Sequence, residues 1–464
     1  MKRIFVLVSL LWAGGLFAQN INWDARFSLP TGQGLTGPVN ALAVSGTSVY
    51  AGGSFTTAGG LGTAYRVARW DGVGWATLGS GVLLTGNFVN TIAVDGGNVY
   101  AGGNFTRAVR ALANNIAKWD GTSWSALGTG TDSYVNAIAA KNGVVYAAGY
   151  FTGAGGGSAL RIAKWDGTSW SALGSGVNAH AYAVAISGSD VYVGGDFTTA
   201  GGIAANHIAK WNGSSWSALN GGGVPGGGVD GRVTSIVVSG SNLYVGGYFG
   251  YACGVPVYRI AKWNGFVWSA LGSGLNGGVL SIAVDGSDVY VGGDFTTAGG
   301  ASANRIAKWN GSAWSTLGSG TDSVVNAVAV NDSGVFAGGN FVNAGAKPSY
   351  HFGRYYVPVA GVEETEQAAA PQLSAVVLRT SPNPFTACTK ISYRITRAGH
   401  VRLEIYNVAG QRVRQLAGQH REPGVYSVSW NGCDDAGRGT AAGAYICRLS
   451  SAGGNAVRSL CYLR

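Results

Sequence analysis

The chain has 464 residues, of which 79 are Gly; aromatic residues make up 11%, charged residues only 11%, and the formal net charge is +10. So many aromatics exclude a disordered Gly-rich chain, which could not bury enough apolar surface to fold. The length allows two or three domains.

In chain order, Lys2 and Arg3 precede a mostly apolar run, Ile4 to Phe17, with the small Ala18 before Gln19. This predicts an export signal over 1–18, too short to span a bilayer comfortably. No Cys follows the run, which argues against a lipoprotein anchor, and no other segment reads as transmembrane.

A phrase then recurs. "RIAKWDGTSWSALGSG" at 161–176 returns as "RIAKWNGSAWSTLGSG" at 305–320. Its first Trp is placed at Trp23, Trp70, Trp119, Trp165, Trp211, Trp263 and Trp309, with Tyr355 in the eighth slot. A second aromatic follows at Phe27, Trp75, Trp124, Trp170, Trp216, Trp268 and Trp314. "VYVGGDF" and its variants end at Phe55, Phe105, Phe151, Phe197, Phe249, Phe295 and Phe341. Each period of 46–52 residues holds four short strand candidates, here called a to d, separated by turn signals such as "DGSD" and "NGSA". Four strands per period of this length predict propeller blades, with the aromatics filling the wedges between them.

Residues 25–32 match a strand d without strands a to c before it, and 325–356 supply a, b and c without d. Together they predict a seven-bladed all-β ring over 19–357, closed by the N-terminal segment. The repeat resembles the kelch and related Gly-Gly propeller families, and is particularly similar to repeats of bacterial surface proteins and fungal cell-polarity markers. That resemblance implies the fold; propellers host many unrelated activities.

The acidic, Ala-rich stretch "VPVAGVEETEQAAAPQ" begins a linker, placed at 358–378. Alternating segments over 379–464 predict a small antiparallel β-sandwich. Its motifs are Pro382-Asn383-Pro384-Phe385, "IYNVAG" ending at Gly410, Trp430-Asn431-Gly432, Asp435-Ala436-Gly437 and Gly443-Ala444-Tyr445. These resemble the C-terminal sorting domain (type A) of type IX secretion and the Ig-like domain of flagellar hook-capping proteins. The resemblance implies export across a Gram-negative outer membrane, the type IX machinery as a partner, and display on or release from the cell surface. Cys433 and Cys447 stand where the family has other residues. If 444–449 pairs with 458–463, Cys447 and Cys461 fall nearly opposite, and a cross-strand disulfide is expected to be feasible. Residues 375–464 hold twelve Lys/Arg against four Asp/Glu, so most of the positive charge belongs to this segment. No nucleic-acid-binding motif accompanies it.

The propeller contains no Glu; the first is Glu363. Most Asp residues read as turn formers after the repeat Trp or between strands a and b. Asp132, Asp196, Asp230, Asp294 and Asp322 lack such a duty, and for Asp196 and Asp294 a local backbone hydrogen bond is expected. A Lys/Arg slot precedes each first aromatic. An Arg/Asn/His slot, which takes in His207 and His351, lies four residues before it. No metal spacing, nucleophile triad or phosphate loop appears, so neither metal nor cofactor is expected. The d–a and b–c loops vary most between blades and emerge on one face. They carry the candidate ligand-binding residues Arg107, Arg110, Asp132, Tyr134, His180, Tyr182, Asp230, Arg232, Tyr251 and Asp322. The expectation is a non-catalytic binding or display protein recognising a glycan or protein partner. The rivals are a polysaccharide-active enzyme using Asp132, Asp322 or Arg107, and a purely structural surface protein.

Overall fold

The computed structural model describes residues 22–29, 32–61, 63–79, 81–83, 88–108, 111–221, 224–357, 377–381, 385–395 and 397–463. The expected signal segment, Arg110, most of the linker and Pro382, Asn383 and Pro384 lie outside them. The chain divides into two compact units, Met1–Val359 and Ala360–Arg464. Among the described residues there is no α-helix, and no helix long and apolar enough to cross a membrane.

The first unit is a seven-bladed β-propeller. Six four-stranded antiparallel sheets follow one another, each in the order a-b-c-d. The fourth, for example, is Ala181–Ser187, Asp190–Gly195, Ile208–Trp211 and Trp216–Ala218. The seventh has Val325–Asn331, Gly334–Gly339 and Phe352–Tyr355. Every strand a packs against strand a of the next blade, and Val39–Ser45 of the first packs against Val325–Asn331 of the seventh, so the ring is closed.

The N-terminal segment supplies the seventh blade's fourth strand, one slot away from the expectation. Trp23 bridges Tyr355, as Trp75 pairs with Trp70 and Trp216 with Trp211. The Asp24 amide donates to the Arg354 carbonyl at 2.8 Å, and the Tyr356 amide to the Asn22 carbonyl at 2.8 Å. Trp23 therefore holds the second-aromatic position rather than the first. Ala25–Phe27 is a 3₁₀ turn instead of a strand, and it places Phe27 in a core with Trp70, Trp75 and Phe352.

The same reading explains the repeated second Trp. Its indole N–H donates across to the preceding blade: Trp124 to the Leu78 carbonyl (2.8 Å), Trp170 to Leu127 (2.7 Å), Trp216 to Leu173 (2.8 Å), Trp268 to Leu219 (3.3 Å) and Trp314 to Leu271 (2.7 Å). Trp23 donates to Leu317 at 2.9 Å and Trp75 to Gln33 at 2.8 Å, which completes the circle of seven. A buried indole needs such an acceptor, and the ring provides one per interface. The first Trp lies beside the second, with centroids 5.1–5.7 Å apart in the six Trp–Trp blades. The Gly pair ending strand b serves the same packing. A Cβ on Gly292 would enter Val325 of the next blade, and one on Gly293 would strike the Gly278 carbonyl.

The second unit is a two-sheet sandwich. Val377–Ser381, Thr389–Ile395 and Gly424–Trp430 form one sheet; Arg412–Arg421, Gly399–Asn407, Gly443–Ser451 and Gly454–Tyr462 form the other. Ile391, Tyr393, Leu403, Ile405, Trp430, Cys447 and Leu449 fill the space between. Strand Gly443–Ser451 does pair with Gly454–Tyr462, but Cys447 faces Arg458 and Cys461 faces Ala444. Cys461 lies three positions beyond Arg458, an odd offset, so the two thiols lie on opposite faces of the sheet. The expected disulfide is thereby ruled out geometrically.

Candidate functional site at the channel mouth

The repeat slots come first, because they show what is structural. The Arg/Asn/His slot (Arg66, Asn115, Arg161, His207, Arg259, Arg305 and His351) adopts the left-handed conformation throughout, with φ between 62° and 75°. Several of its side chains bond backbone carbonyls. Asn115 donates to Thr131 at 2.8 Å, Arg161 to Val177 at 3.3 Å and Arg305 to Thr321 at 3.3 Å. His207 and His351 meet the carbonyls of Gly195 and Gly339 at 3.2 and 3.1 Å.

Asp132, Asp230 and Asp322 form another slot. Each accepts backbone amides about twenty residues on: Thr152 at 2.9 Å, Gly250 and Tyr251 at 2.8 and 2.9 Å, Val342 and Asn343 at 3.0 and 3.1 Å. Asn178 and Asn276 do the same for Thr198 and Thr296 at 2.9 and 2.8 Å. These three candidate carboxylates thus brace the d–a loop against the start of the b–c loop. Arg107 and Tyr251 are exposed on short b–c hairpins.

The remaining candidates converge. Each strand a has a bulge after its first or second paired residue. The bulged residues Asn40, Asn90, Asn136, Tyr182, Thr234, Leu280 and Asn326 lie on the innermost strands. Most of them line a central cavity of about 180 Å³. At its mouth, where strand a begins and strand b ends, two residues face each other in every blade. They are Pro38/Ser54, Phe88/Asn104, Tyr134/Tyr150, His180/Asp196, Arg232/Tyr248, Gly278/Asp294 and Val324/Asn340. No two blades carry the same pair, in a ring whose packing slots scarcely change.

From the second blade to the sixth these pairs join into one arc. Phe88 meets Tyr134 edge-on at 6.2 Å, Tyr134 meets Tyr150 at 6.0 Å, and Tyr150 lies 3.9 Å from the His180 ring. The Tyr150 and Tyr182 hydroxyls are 3.1 Å apart, and Tyr182 donates to Asp196 at 3.0 Å. Arg232 of the next blade grips Asp196 with two bonds, 2.7 and 2.9 Å, and stacks over the Tyr182 ring at 4.7 Å. Tyr248 crosses onto Gly278, where a Cβ would collide with its ring, and donates to Asp294 at 2.7 Å.

The electrostatics follow from these contacts. Burial, together with the Tyr150 and Asp196 bonds, pushes the Tyr182 phenol far above its ordinary range. Burial and the Asp294 bond push Tyr248 up to about 12. The bond to Asp196 raises Arg232 further. Both phenols therefore stay protonated donors at neutral pH, and Asp196 and Arg232 neutralise each other. Tyr134 and Tyr248 are each 40% exposed, so the arc offers aromatic surface to solvent. Asp196 and Asp294 make inter-blade and side-chain contacts rather than the local backbone bonds expected of them.

The arc brings together Tyr134, His180, Tyr182 and Arg232 from the sequence-based candidates, and adds Phe88, Tyr150, Asp196, Tyr248 and Asp294. The added residues sit at strand ends rather than in loops. Asp196 and Asp294 stand out in the sequence as Asp residues without a turn duty, and comparing blades at both slots would have found Phe88, Tyr150 and Tyr248 as well. Among the described residues, no three His, Cys, Asp or Glu side chains converge as metal ligands.

In the sandwich, the described motif residues build core and turns. Phe385 packs on Trp430 and Tyr462 with centroids 5.6 and 5.1 Å away, and Tyr445 meets Trp430 at 5.0 Å. Gly410, Gly432 and Gly437 occupy positive-φ turns, and Asp435 accepts the Gln415 amide at 3.0 Å.

Residues 386–455 match the FlgD Ig-like domain family. No curated protein matches the chain. Among solved structures, the chain is similar to PorZ of Porphyromonas gingivalis, described as a surface component of the type IX secretion system. The identity is 15% and the TM-score 0.45, over 94% of this chain and 60% of PorZ. It is similar to the WD40 β-propeller domain of Doa1 at 14% identity and TM-score 0.45, over 73% of this chain and 98% of that one. FlgD of P. aeruginosa covers 20% of this chain and is itself covered over 76%, at 18% identity and TM-score 0.15.

Proposed function

We propose that this protein is an exported, cell-surface binding protein. Its propeller recognises a glycan or protein partner at the channel mouth without turning it over, and its C-terminal sandwich directs type IX export. The observation that carries the reading is the contrast within each blade. Packing slots repeat around the ring, whereas the pair of mouth residues differs from blade to blade and presents an exposed aromatic arc. A rigid ring with one divergent face is the usual arrangement of a recognition surface. The FlgD Ig-like match over 386–455 supports the sandwich as the sorting-type module.

The test is a binding screen of the full chain against glycans, peptides and envelope polysaccharide, with product analysis of whatever binds. Binding that survives without product, and that Tyr134→Ala combined with Tyr150→Ala weakens at least tenfold, supports the reading. Turnover would move the protein into the enzymes and direct attention to Asp196 and Asp294. Binding that ignores the arc variants would remove the site from the mouth. For the sandwich, truncation before residue 379 should leave the propeller inside the cell envelope; surface display of the truncated chain would refute the sorting role.

A further inference from the structure

Two blades end strand b on an aspartate that takes a phenol, from Tyr182 of its own blade at Asp196 and from Tyr248 of the preceding blade at Asp294, and an arginine of the next blade joins the first. At the first, the Asp196 carboxylate takes the Tyr182 phenol on one oxygen at 3.0 Å. The next blade then supplies Arg232, from the first position of its strand a, as a two-pronged guanidinium at 2.7 and 2.9 Å. Asp294 occupies the same slot two blades on and also takes a phenol, Tyr248, at 2.7 Å. The position equivalent to Arg232 in the following blade is Val324, whose carbonyl accepts the Asn340 amide as strand b ends. Gly277 and Gly278 let the backbone come close to the pair: a Cβ on Gly277 would sit 2.7 Å from Asp294 Oδ1, and one on Gly278 would collide with the Tyr248 ring. Asp294 is exposed, and the Tyr248 ring beside it is 40% exposed.

We propose that the Asp294–Tyr248 pair receives a guanidinium from outside the chain, the arginine side chain of a protein partner, in the place that Arg232 takes at Asp196. The proposal rests on the channel mouth being a recognition surface. A planar guanidinium matches a carboxylate through paired N–H bonds and stacks on an aromatic face, as Arg232 does on Tyr182. A macromolecular partner fits better than a free small molecule, because the pair lies on an open face. There, one ion pair gains little unless neighbouring contacts accompany it.

The experiment titrates the full chain with the tripeptide acetyl-Gly-Arg-Gly-amide and follows the backbone amide signals of Gly277 and Gly278. Wild type is expected to shift at millimolar peptide. Asp294→Asn should weaken binding at least fivefold, and the citrulline analogue, isosteric but uncharged, should bind equally poorly. Val324→Arg supplies the missing side chain from within. It should stay folded, as Arg232 does at the homologous place, and should also weaken peptide binding at least fivefold by filling the site. Agmatine separates the sources: the peptide should bind at least as tightly as this free guanidine. Absence of shifts in wild type, indifference to both variants, equal binding of citrulline, or a tenfold preference for agmatine each overturns the proposal. A partner that binds through Tyr134 and Tyr150 yet ignores Asp294→Asn and Val324→Arg would sink this inference while leaving the binding reading intact.

Discussion

Asp24 shows how one residue can hold a ring shut. Its carboxylate is buried and accepts from Arg354 at 2.8 Å, Arg26 at 2.8 Å and the Tyr356 hydroxyl at 3.1 Å, tying the N-terminal segment to the last strand c. Burial alone would raise its pKa. The Arg26 bond and the charges of Arg354 and Arg26 outweigh that and hold it at about 2. The folded value is below the unfolded one, so the stabilisation is full above the ordinary carboxylate range and lost as pH falls towards 2. Asp24→Asn keeps the shape but leaves Arg354 buried without its counter-charge, a change that costs about 3–5 kcal/mol. Urea unfolding should therefore separate wild type from Asp24→Asn at pH 7, and the gap should narrow steadily between pH 4 and 2. A gap independent of pH would mean that the charge is not what matters. By analogy with its neighbours, the sequence suggested a turn former here, because Asp71, Asp120 and Asp166 follow the repeat Trp and do cap turns. Asp24 does the same, accepting the Arg26 amide at 3.1 Å, and the pairing of Trp23 with Tyr355 adds the ring-closing duty. The Arg/Asn/His slot was likewise visible as a pattern, but its reason, a left-handed backbone at φ 62–75°, is a dihedral that no residue type in that slot announces.

At the scale of the element, the blade is held to its neighbour by the second Trp. Trp216→Phe keeps most of the ring but removes the donor to the Leu173 carbonyl, leaving that acceptor unsatisfied at a cost of about 1–3 kcal/mol. Trp216→Ala adds a cavity and should cost about 3–5 kcal/mol. Chemical unfolding that places the two variants together would show that the indole N–H contributes nothing. The seventh interface uses Trp23 in the same role, so deleting residues 20–32 removes the donor to Leu317 and the Phe27 plug together, along with the Arg26 carbonyl that holds Gln33, the acceptor for Trp75. Calorimetry should record a sharp fall in melting temperature, and an unchanged melt would refute closure by this segment. Blade number, strand order and closure were all legible, since hairpin turns and aromatic spacing are local signals. The slot of Trp23 was not, because "NWDARF" imitates the first-Trp phrase. Whether a Trp-Asp pair ends strand c or forms strand d is settled by which strand lies beside it.

At the scale of the whole molecule, the two units have separate cores, and each encloses one buried cysteine: Cys253 in the propeller, Cys447 in the sandwich. The pairing of 444–449 with 458–463 expected from the sequence sets Cys447 nearly opposite Cys461. The register offsets them by three residues, and an odd offset puts the side chains on opposite faces. Cys447 instead packs among Leu403, Ile405 and Leu449, and burial pushes its thiol up to about 12. The attacking species is the thiolate, so at pH 8 this group is both shielded and almost wholly protonated. Cys388, by contrast, is exposed. A thiol reagent added to the native chain under reducing-agent-free conditions should label Cys388 within its mixing time. Cys447 should remain unlabelled until denaturant opens the sandwich, and its labelling should then track the loss of Trp430 burial. Cys253, enclosed between Leu219 and Gly228, should respond to opening of the propeller instead. Peptide mapping after a timed quench distinguishes the two. Native-state labelling of Cys447 at the rate of Cys388 would show that the sandwich does not close its core around Trp430. The motif residues Phe385, Trp430 and Tyr445 would then need a different explanation from packing.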